Sequence, residues 1–421
     1  MLQRSLKRSL IGIRLRSFLI PLQELDWQLL LLTIGLTFLG GVMIRSAELN
    51  DGLTDWWSHW IVGGIGLGVA LMIARSRYEA LIQWHWIVYG LTIVSLIAVR
   101  FIGTDANGSQ RWINILGFHV QPSEFAKIGL IITLAALLHA QPASTLKAVF
   151  RVLAVASVPW LLVFSEPNLG TSLVFGAITM GMLYWGNANP GWLLLMVSPI
   201  VSAILFSVFL PAWFVWMAII AVISFRCLPW PFLGSLGALV VNGVCGKLGN
   251  ILWGILKDYQ KQRLTSFLDP DKDPLGTGYH LIQSRIAVGA GQLTGRGLNE
   301  GTQTQLQFVP EQHTDFIFSA IGEELGFVGC VLVLLAFWFL CLRLIIIAQN
   351  AKDNFGSLIA VGVLSMIVFQ TVVNIGMNIG LAPITGIPLP LLSFGKAALL
   401  ANFIGIGLVE SVANHRHRLK F

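Results

Sequence analysis

The residues best suited to chemistry stand at the mouths of apolar runs. Pro310-Glu311-Gln312-His313-Thr314-Asp315 immediately precedes one such run. Thr314 or Asp315 could accept the free N–H groups of a helix's first turn, and an aspartate suits the positive end of a helix. A cap accounts for one acid. It does not account for a Glu, a His and an Asp within five residues. A carboxylate at a water–membrane boundary, with an imidazole nearby, could equally serve as a general base. On the residues alone, cap and base both stand.

A second group, Gln121-Pro122-Ser123-Glu124-Phe125-Ala126-Lys127, opens another apolar run. Ser123 is a natural cap, Glu124 favours a first turn, and Lys127 is its i,i+3 partner on one helix face. Lys127 then lies about one turn into the bilayer, where ionisable groups face a cavity or one another unless they snorkel to the interface. With Arg111 just upstream, it would give a cationic lining suited to a phosphate-bearing ligand. Glu323 and Glu324 follow Asp315 inside its span, Glu323 about 12 Å along the axis. At least one must point into the bundle, where structural pairing is the favoured reading. Asn374 and Asn378, an i,i+4 pair, are expected to bridge helices. Pro383, Pro388 and Pro390, with Gly380 and Gly386, break any helix between 379 and 392. Broken backbone at membrane depth must line a cavity or bury in protein. Ser393 and Lys396 follow that break.

Other patterns carry less. Asp269, Asp271 and Asp273 have calcium-loop spacing, but Pro274 replaces the turn glycine and His280 the bidentate Glu. Asp-Pro turns explain the run better. Glycines 289, 291, 295, 297 and 301 match neither dinucleotide nor P-loop spacing. They suggest turns, or close approach of backbone to a ligand. Cys227, Cys245, Cys330 and Cys341 all sit in apolar segments without metal spacing and read as inert buried thiols.

These groups must be positioned by membrane spans. Of 421 residues, 55% are apolar and 11% charged, against about 25% charged in soluble domains. The apolar residues fall in long runs, so the chain is a polytopic all-α membrane protein. Spans are predicted near 26–46, 57–75, 82–102, 123–140, 147–164, 169–187, 191–210, 316–347, 357–377 and 396–413, with a further apolar block at 211–256. The net charge of +7 collects at the ends, in Arg4, Lys7, Arg8, Arg14 and Arg16 and in Arg416, Arg418 and Lys420. That is the positive-inside signal, and no basic stripe with interleaved aromatics points to nucleic acid.

A cytoplasmic N-terminus (1–25) puts Arg75, Arg77, Lys147, Arg151, Arg343 and Lys352 inside and Glu48, Asp51 and Asp55 outside. The 211–256 block must then cross an even number of times to leave the C-terminus (414–421) inside. Arg226, near its middle, suits two crossings. Residues 257–315 hold 13 of the 47 charged residues and face outside. Long loops are usually functional or disordered, and this one carries enough apolar residues to form short helices over a cavity.

At these segments the sequence resembles the SEDS family (shape, elongation, division and sporulation), the RodA/FtsW peptidoglycan polymerases. The resemblance rests on QRWINILGFHVQPSEFAK (110–127), EPNLGTS (166–172), DPDKDPLGTGYHLIQSRIAVGAG (269–291), GTQTQLQFVPEQHTDFIFSAIGEELG (301–326) and GIPLPLLSFG (386–395). It covers most of 26–413, which would form a single transmembrane domain. The GTQTQLQFVPEQHTDFIF wording is closer to the elongation branch than to the division branch. The resemblance implies a bundle of about ten transmembrane helices, or twelve if the 211–256 insert adds two, with a large extracytoplasmic loop.

It also implies a glycosyltransferase in the bacterial plasma membrane that joins lipid II units and releases undecaprenyl diphosphate. Asp315 matches the family's essential acid, the proposed base for the acceptor 4-hydroxyl in an inverting transfer. Substrate contacts would come from Arg111, Gln121, Ser123, Glu124, Lys127, Gln283, Arg285, Gln303, Glu311, His313, Ser393 and Lys396. The implied partners are a class B penicillin-binding protein, the elongation machinery and membrane lipid. No cofactor is certain. A divalent cation, Mg or Mn, could share the diphosphate charge, although no dedicated ligand cluster is evident. Three departures stand out. Asn168 replaces the family's usual Asp, Lys396 replaces a usual Gly, and 211–256 is longer by about two helix lengths. The competing readings are a flippase for a lipid-linked precursor, a division-specific polymerase, and a scaffold that only recruits the transpeptidase.

Overall fold

The computed structural model describes residues 25–47, 56–106, 109–115, 118–166, 168–255, 267 and 278–416. The basic N-terminal segment, the acidic turn Glu48/Asp51/Asp55, the Asp269/Asp271/Asp273 run and the final Arg418 and Lys420 lie outside the described residues.

Among them are eleven helices long and apolar enough to cross a bilayer. In chain order the helices begin with α1 (Trp27–Ala47), α2 (Trp56–Arg75), α3 (Leu81–Ile102), α4 (Pro122–Ala140) and α5 (Leu146–Ser165). They continue with α6 (Leu169–Trp185), α7 (Pro190–Val208), α8 (Leu210–Cys227) and α9 (Pro231–Ile255). Two short helices, α10 (Tyr279–Ala290) and α11 (Thr302–Gln305), precede α12 (Ile317–Gln349), α13 (Asn354–Asn378) and α14 (Lys396–Asn414). Helix α6, at 17 residues, is shorter than those eleven. The architecture is that of a polytopic helical membrane protein.

Helices α4, α13 and α14 are the most buried spans and form the centre, while α3, α7, α8 and α9 present most of their surface outward. Lipid gives no hydrophobic drive for helices to associate, so close approach and polar contacts hold the bundle. Gly407 of α14 lies against the main chain of Ala70 in α2, where a Cβ would sit 2.7 Å from Ala70 Cα.

The 211–256 block resolves into the hairpin α8–α9, so it supplies two helices, with Arg226 in the last turn of α8. The hairpin packs on α7. Asn242 donates to Ser198 Oγ at 3.0 Å, Ser202 donates to the Asn242 carbonyl at 2.8 Å, and Trp213 Nε1 donates to Ser202 Oγ at 2.8 Å. Polar bonds thus hold this unit in apolar surroundings.

Two loops depart from a purely helical expectation. Residues between α3 and α4 form a small antiparallel sheet of β1 (Thr104–Ala106), β2 (Ser109–Ile115) and β3 (Phe118–Val120). Its sequence signal is Asn107-Gly108, a favoured hairpin dipeptide.

The second departure is a break in α12 at Gly326, whose φ of +66° is left-handed. The loop after α10 fills the break. Arg296 N donates to the Glu323 carbonyl at 3.0 Å and Gly297 N to the Glu324 carbonyl at 3.1 Å. In return Phe327 N reaches the Gln292 carbonyl at 2.9 Å and Val328 N that of Leu293 at 3.1 Å. Four of the backbone groups released by the break are therefore satisfied by protein, as apolar surroundings require. Gly295 sits so close to the Glu324 carbonyl that a side chain would overlap it. Of the glycine run, Gly291 and Gly295 therefore serve close approach to the backbone of α12, whereas at Gly289 a side chain would meet nothing within 4 Å.

Two faces can be distinguished. One carries the β-sheet, residues 278–316 and the broken segment 379–395, and is called the loop face. The other carries Asp26, Ser76, Arg343 and His415 and is called the terminal face.

Candidate functional site

The segment leading into α12 is held by the end of α13. Asn374 Nδ2 and Asn378 Nδ2 both donate to the Asp315 carbonyl, at 2.9 and 3.0 Å. Asn378 Oδ1 accepts from Ser319 N at 3.1 Å and from Ser319 Oγ at 2.6 Å. Ser284 of α10 completes the group, 2.5 Å from Ser319 Oγ and 2.7 Å from the Asn378 carbonyl. Asn374, Asn378, Ser284 and Ser319 are all buried, while Asp315 is half-buried.

This corrects the expectation that Thr314 or Asp315 caps α12. The N-cap position falls on Phe316, which makes no side-chain cap bond. Thr314 donates instead to Glu311, at 3.2 Å to its carbonyl and 3.1 Å to its carboxylate. The N–H of Ser319 is shared between the Phe316 carbonyl, at 3.0 Å, and a cap from another helix, the side chain of Asn378. The i,i+4 asparagines do bridge helices, and what they grip is the main chain of Asp315.

The broken segment 379–395 adjoins the same place. Phe394 N donates to the His313 carbonyl at 2.9 Å, and the two rings meet edge-on with centroids 5.9 Å apart. Lys396 Nζ lies 5.9 Å from the centre of the Phe394 ring. Arg285 lies along Gly380, just beyond the end of α13, where a cation suits the negative helix terminus. Through these contacts Arg285, His313 and Lys396 share the loop-face surroundings of Asp315. Gln283 is half-buried on α10, and Glu311 is exposed with a φ of +52°.

Ser393 is buried and its hydroxyl accepts from Leu389 N at 2.8 Å, so it shapes the turn that carries Phe394 and Lys396. Gln303 belongs to different packing. Its N–H and that of Thr304 each donate to the Glu323 carboxylate at 2.8 Å, which thereby caps α11. Glu324 accepts from Ser46 Oγ at 2.6 Å. Both acids inside α12 are thus buried and bonded to donors of the protein.

At the start of α4, Lys127 and Glu124 pair at 2.7 Å, and both are almost wholly buried. Lys127 therefore does not snorkel. Ser123 is not the cap. Pro122 takes the first helical position, where its fixed φ and missing N–H fit, which moves the cap position to Gln121. The Ser123 hydroxyl is buried without a partner among the described residues.

Arg111, on β2, donates from Nε to the carbonyl of Glu166 at 3.2 Å, at the end of α5. Burial raises the Glu166 carboxyl to about 7, against the opposing pull of Arg111 and Arg100. One of its oxygens is buried without a partner among the described residues. Sequence reasoning did not single out Glu166, although it opens the EPNLGTS segment. Asn168, where an Asp is usual, caps α6 through Oδ1, which accepts from Thr171 N at 3.3 Å. An amide oxygen serves that purpose as a carboxylate would. No group of three or more His, Cys, Asp or Glu side chains able to hold a metal is found among the described residues.

The fold and these segments define a multi-span helical membrane protein with a polar cluster at its loop face. A family model described as "Cell cycle protein", for FtsW, RodA and SpoVE, matches residues 24–418. The chain belongs to the FtsW/RodA/SpoVE family. It is 33% identical over 400 residues to the peptidoglycan glycosyltransferase MrdB of Escherichia coli K12, covering 94% of this chain and 95% of that one. It is 35% identical over 427 residues to the peptidoglycan glycosyltransferase RodA of Treponema pallidum, covering 92% and 97%. A solved structure of a peptidoglycan synthase complex that coordinates polymerization and crosslinking aligns with a TM-score of 0.70 at 27% identity. That alignment covers 94% of this chain and 99% of the other.

Proposed function

We propose that this chain is a peptidoglycan glycosyltransferase of the elongation type, polymerising lipid II into glycan strands, with Asp315 as its general base. The observation that carries the assignment of the base is the clamp on Asp315. Two buried asparagines fix its main chain, and the cap of α12 is supplied by Asn378, so the cap reading no longer accounts for the acid. The carboxylate would take the proton of the acceptor 4-hydroxyl as that oxygen attacks the anomeric carbon of the lipid-linked donor. The bond to the diphosphate breaks on the opposite side, and undecaprenyl diphosphate leaves with the negative charge. Attack in line inverts the carbon.

Arg285, His313 and Lys396 stand nearest this centre by their contacts and are the proposed substrate-binding residues there, with Gln283 and Glu311 at its margin. Arg111 is a proposed diphosphate contact from the β-sheet. Lys127 and Glu124, neutral as a pair, would act through Lys127's field or by fixing α4, and Gln121 and Ser123 by shaping that helix start. Ser393 and Gln303 would contribute by positioning. A divalent cation, if used, would arrive on the substrate's diphosphate.

The loop face would be extracytoplasmic, both termini cytoplasmic, and the membrane the bacterial inner membrane. Arg75, Lys352 and Arg343 then lie on the cytoplasmic side, as the positive-inside rule asks. The proposed partner is a class B penicillin-binding protein, a transpeptidase, as the synthase-complex neighbour suggests.

The test is strand formation from purified lipid II by this protein co-purified with its transpeptidase, wild type beside Asp315→Asn. Loss of a general base costs about 10²–10⁴-fold, so the variant should yield no detectable polymer with the complex intact. Equal polymer from both would remove Asp315 from the mechanism.

A further inference from the structure

Helices α1 and α12 are joined at both ends and stand apart between them. At the loop face Ser46 donates to Glu324 at 2.6 Å. At the terminal face Arg343 makes a two-pronged ion pair with Asp26, whose N–H in turn reaches Glu410 at 2.9 Å. The ties are about 30 Å apart along either helix, which is about the hydrocarbon thickness of a bilayer. Between them lies a groove of ≈ 670 Å³. Its walls are aliphatic and aromatic apart from Gln28 and Arg343, both at the terminal-face end. Leu31 and Leu332 on its rims are well exposed, so it opens sideways. At Gly35 a Cβ would meet nothing within 4 Å.

We infer that this groove binds an acyl chain of an anionic glycerophospholipid from the leaflet at the terminal face, with the lipid phosphate at Arg343. Size argues against a partner helix. A helix about 10 Å across over this length would need about three times the volume. Charge decides between lipids. The lining at the loop-face end is apolar, from Leu36, Leu39 and Leu325, and offers no partner to a diphosphate entering there. At the other end Arg343 is the exposed charge, with a side chain 27% accessible, while Asp26 and Glu410 are buried behind it. Asp26 engages Nε and Nη2 of Arg343, which leaves further guanidinium N–H groups for a phosphate. Arg416 lines the adjoining cleft and adds positive potential.

The test is native mass spectrometry of the full chain in detergent, titrated separately with phosphatidylglycerol, phosphatidylcholine and undecaprenyl phosphate. Wild type should retain phosphatidylglycerol about fivefold over phosphatidylcholine, the effect of one well-placed arginine. Gly35→Phe, which fills the groove, should lose that tightly held lipid, and Gly35→Leu replaces it if the larger residue impairs folding. The paired change Asp26→Asn with Arg343→Gln leaves no unpaired buried charge. It should keep chain binding and lose the preference for the anionic head. Equal retention of the two phospholipids by wild type would overturn the inference. So would a preference for undecaprenyl phosphate, or full retention by the groove-filling variant.

Discussion

The side chain of Asn378 holds two points of another helix's entry at once. Its amide nitrogen donates to the Asp315 carbonyl at 3.0 Å and its oxygen accepts from Ser319 N at 3.1 Å. The proposed base is therefore set by a residue 63 positions away. In Asn378→Val both bonds vanish, Ser319 N keeps only the Phe316 carbonyl at 3.0 Å and the Asp315 carbonyl keeps only Asn374, a loss of about 0.5–1.5 kcal/mol per bond. Displacing a catalytic group by about 1 Å can cost 10²-fold. We expect kcat for lipid II polymerisation to fall at least about tenfold with KM little changed. A steady-state assay of the complex checks this, and a changed KM with unchanged kcat would refute the positioning role.

Glu124 and Lys127 should be destabilising to separate and harmless to remove together. Breaking a buried pair from one side strands the other charge and costs about 3–5 kcal/mol. Lys127→Met should lower the thermal midpoint sharply, and Glu124→Gln combined with Lys127→Met should restore it. If the double variant is stable yet inactive, Lys127 contributes to the reaction beyond its structural pairing. Fluorescence-detected melting beside the polymerisation assay separates the two.

Glu166 should make stability depend on pH. Its carboxyl titrates near 7 in the fold against 4.5 in the unfolded chain. The folded state thus keeps a proton that the unfolded chain has released between those values, and stability falls as pH rises through this window. Below about 4.5 both states are protonated and the effect vanishes. Glu166→Gln should raise the melting temperature at pH 8 by about 2 °C and leave it unchanged near pH 4. Arg111→Gln removes a cation that opposes the shift and should extend the window upward. Melting curves across this range test both.

The neighbouring acids of α12 should differ in their tolerance of amides. Glu323 accepts from Gln303 N, Thr304 N and the Thr304 hydroxyl. An amide can present only one oxygen to them, so Glu323→Gln should expose residues 301–312 to limited proteolysis. One Glu324 oxygen is buried without a partner among the described residues, so Glu324→Gln should leave the digestion pattern unchanged.

Much of the bundle was legible because long apolar runs leave few alternatives. The parity of crossings required two helices or none from 211–256, and α8–α9 supply two. The i,i+3 spacing of Glu124 and Lys127 announced their pairing. What escaped the sequence was chiefly non-local. Nothing near Thr314 reveals that the cap of α12 comes from Asn378, or that Ser284 and Ser319 complete the cluster. The glycine run left turns and approach to a ligand both open, and what Gly291 and Gly295 approach is the backbone at Gly322–Gly326. Periodicity carries α12 smoothly through Gly326, because apolar composition is blind to a break whose donors come from another segment. Glu166 stood in view within EPNLGTS, but its importance depends on burial beside Arg111, which no spacing encodes.

The break in α12 also bears on how the chain reaches its final form. A segment with open N–H and C=O groups at Glu323–Val328 cannot rest alone in lipid. Residues 292–297, which supply its partners, precede it in the chain and leave the ribosome first. The order of synthesis therefore delivers the splint before the fracture. The loop must be retained beside the membrane until the last long helix hairpin is inserted, which makes biogenesis of this region a joint event of loop and span.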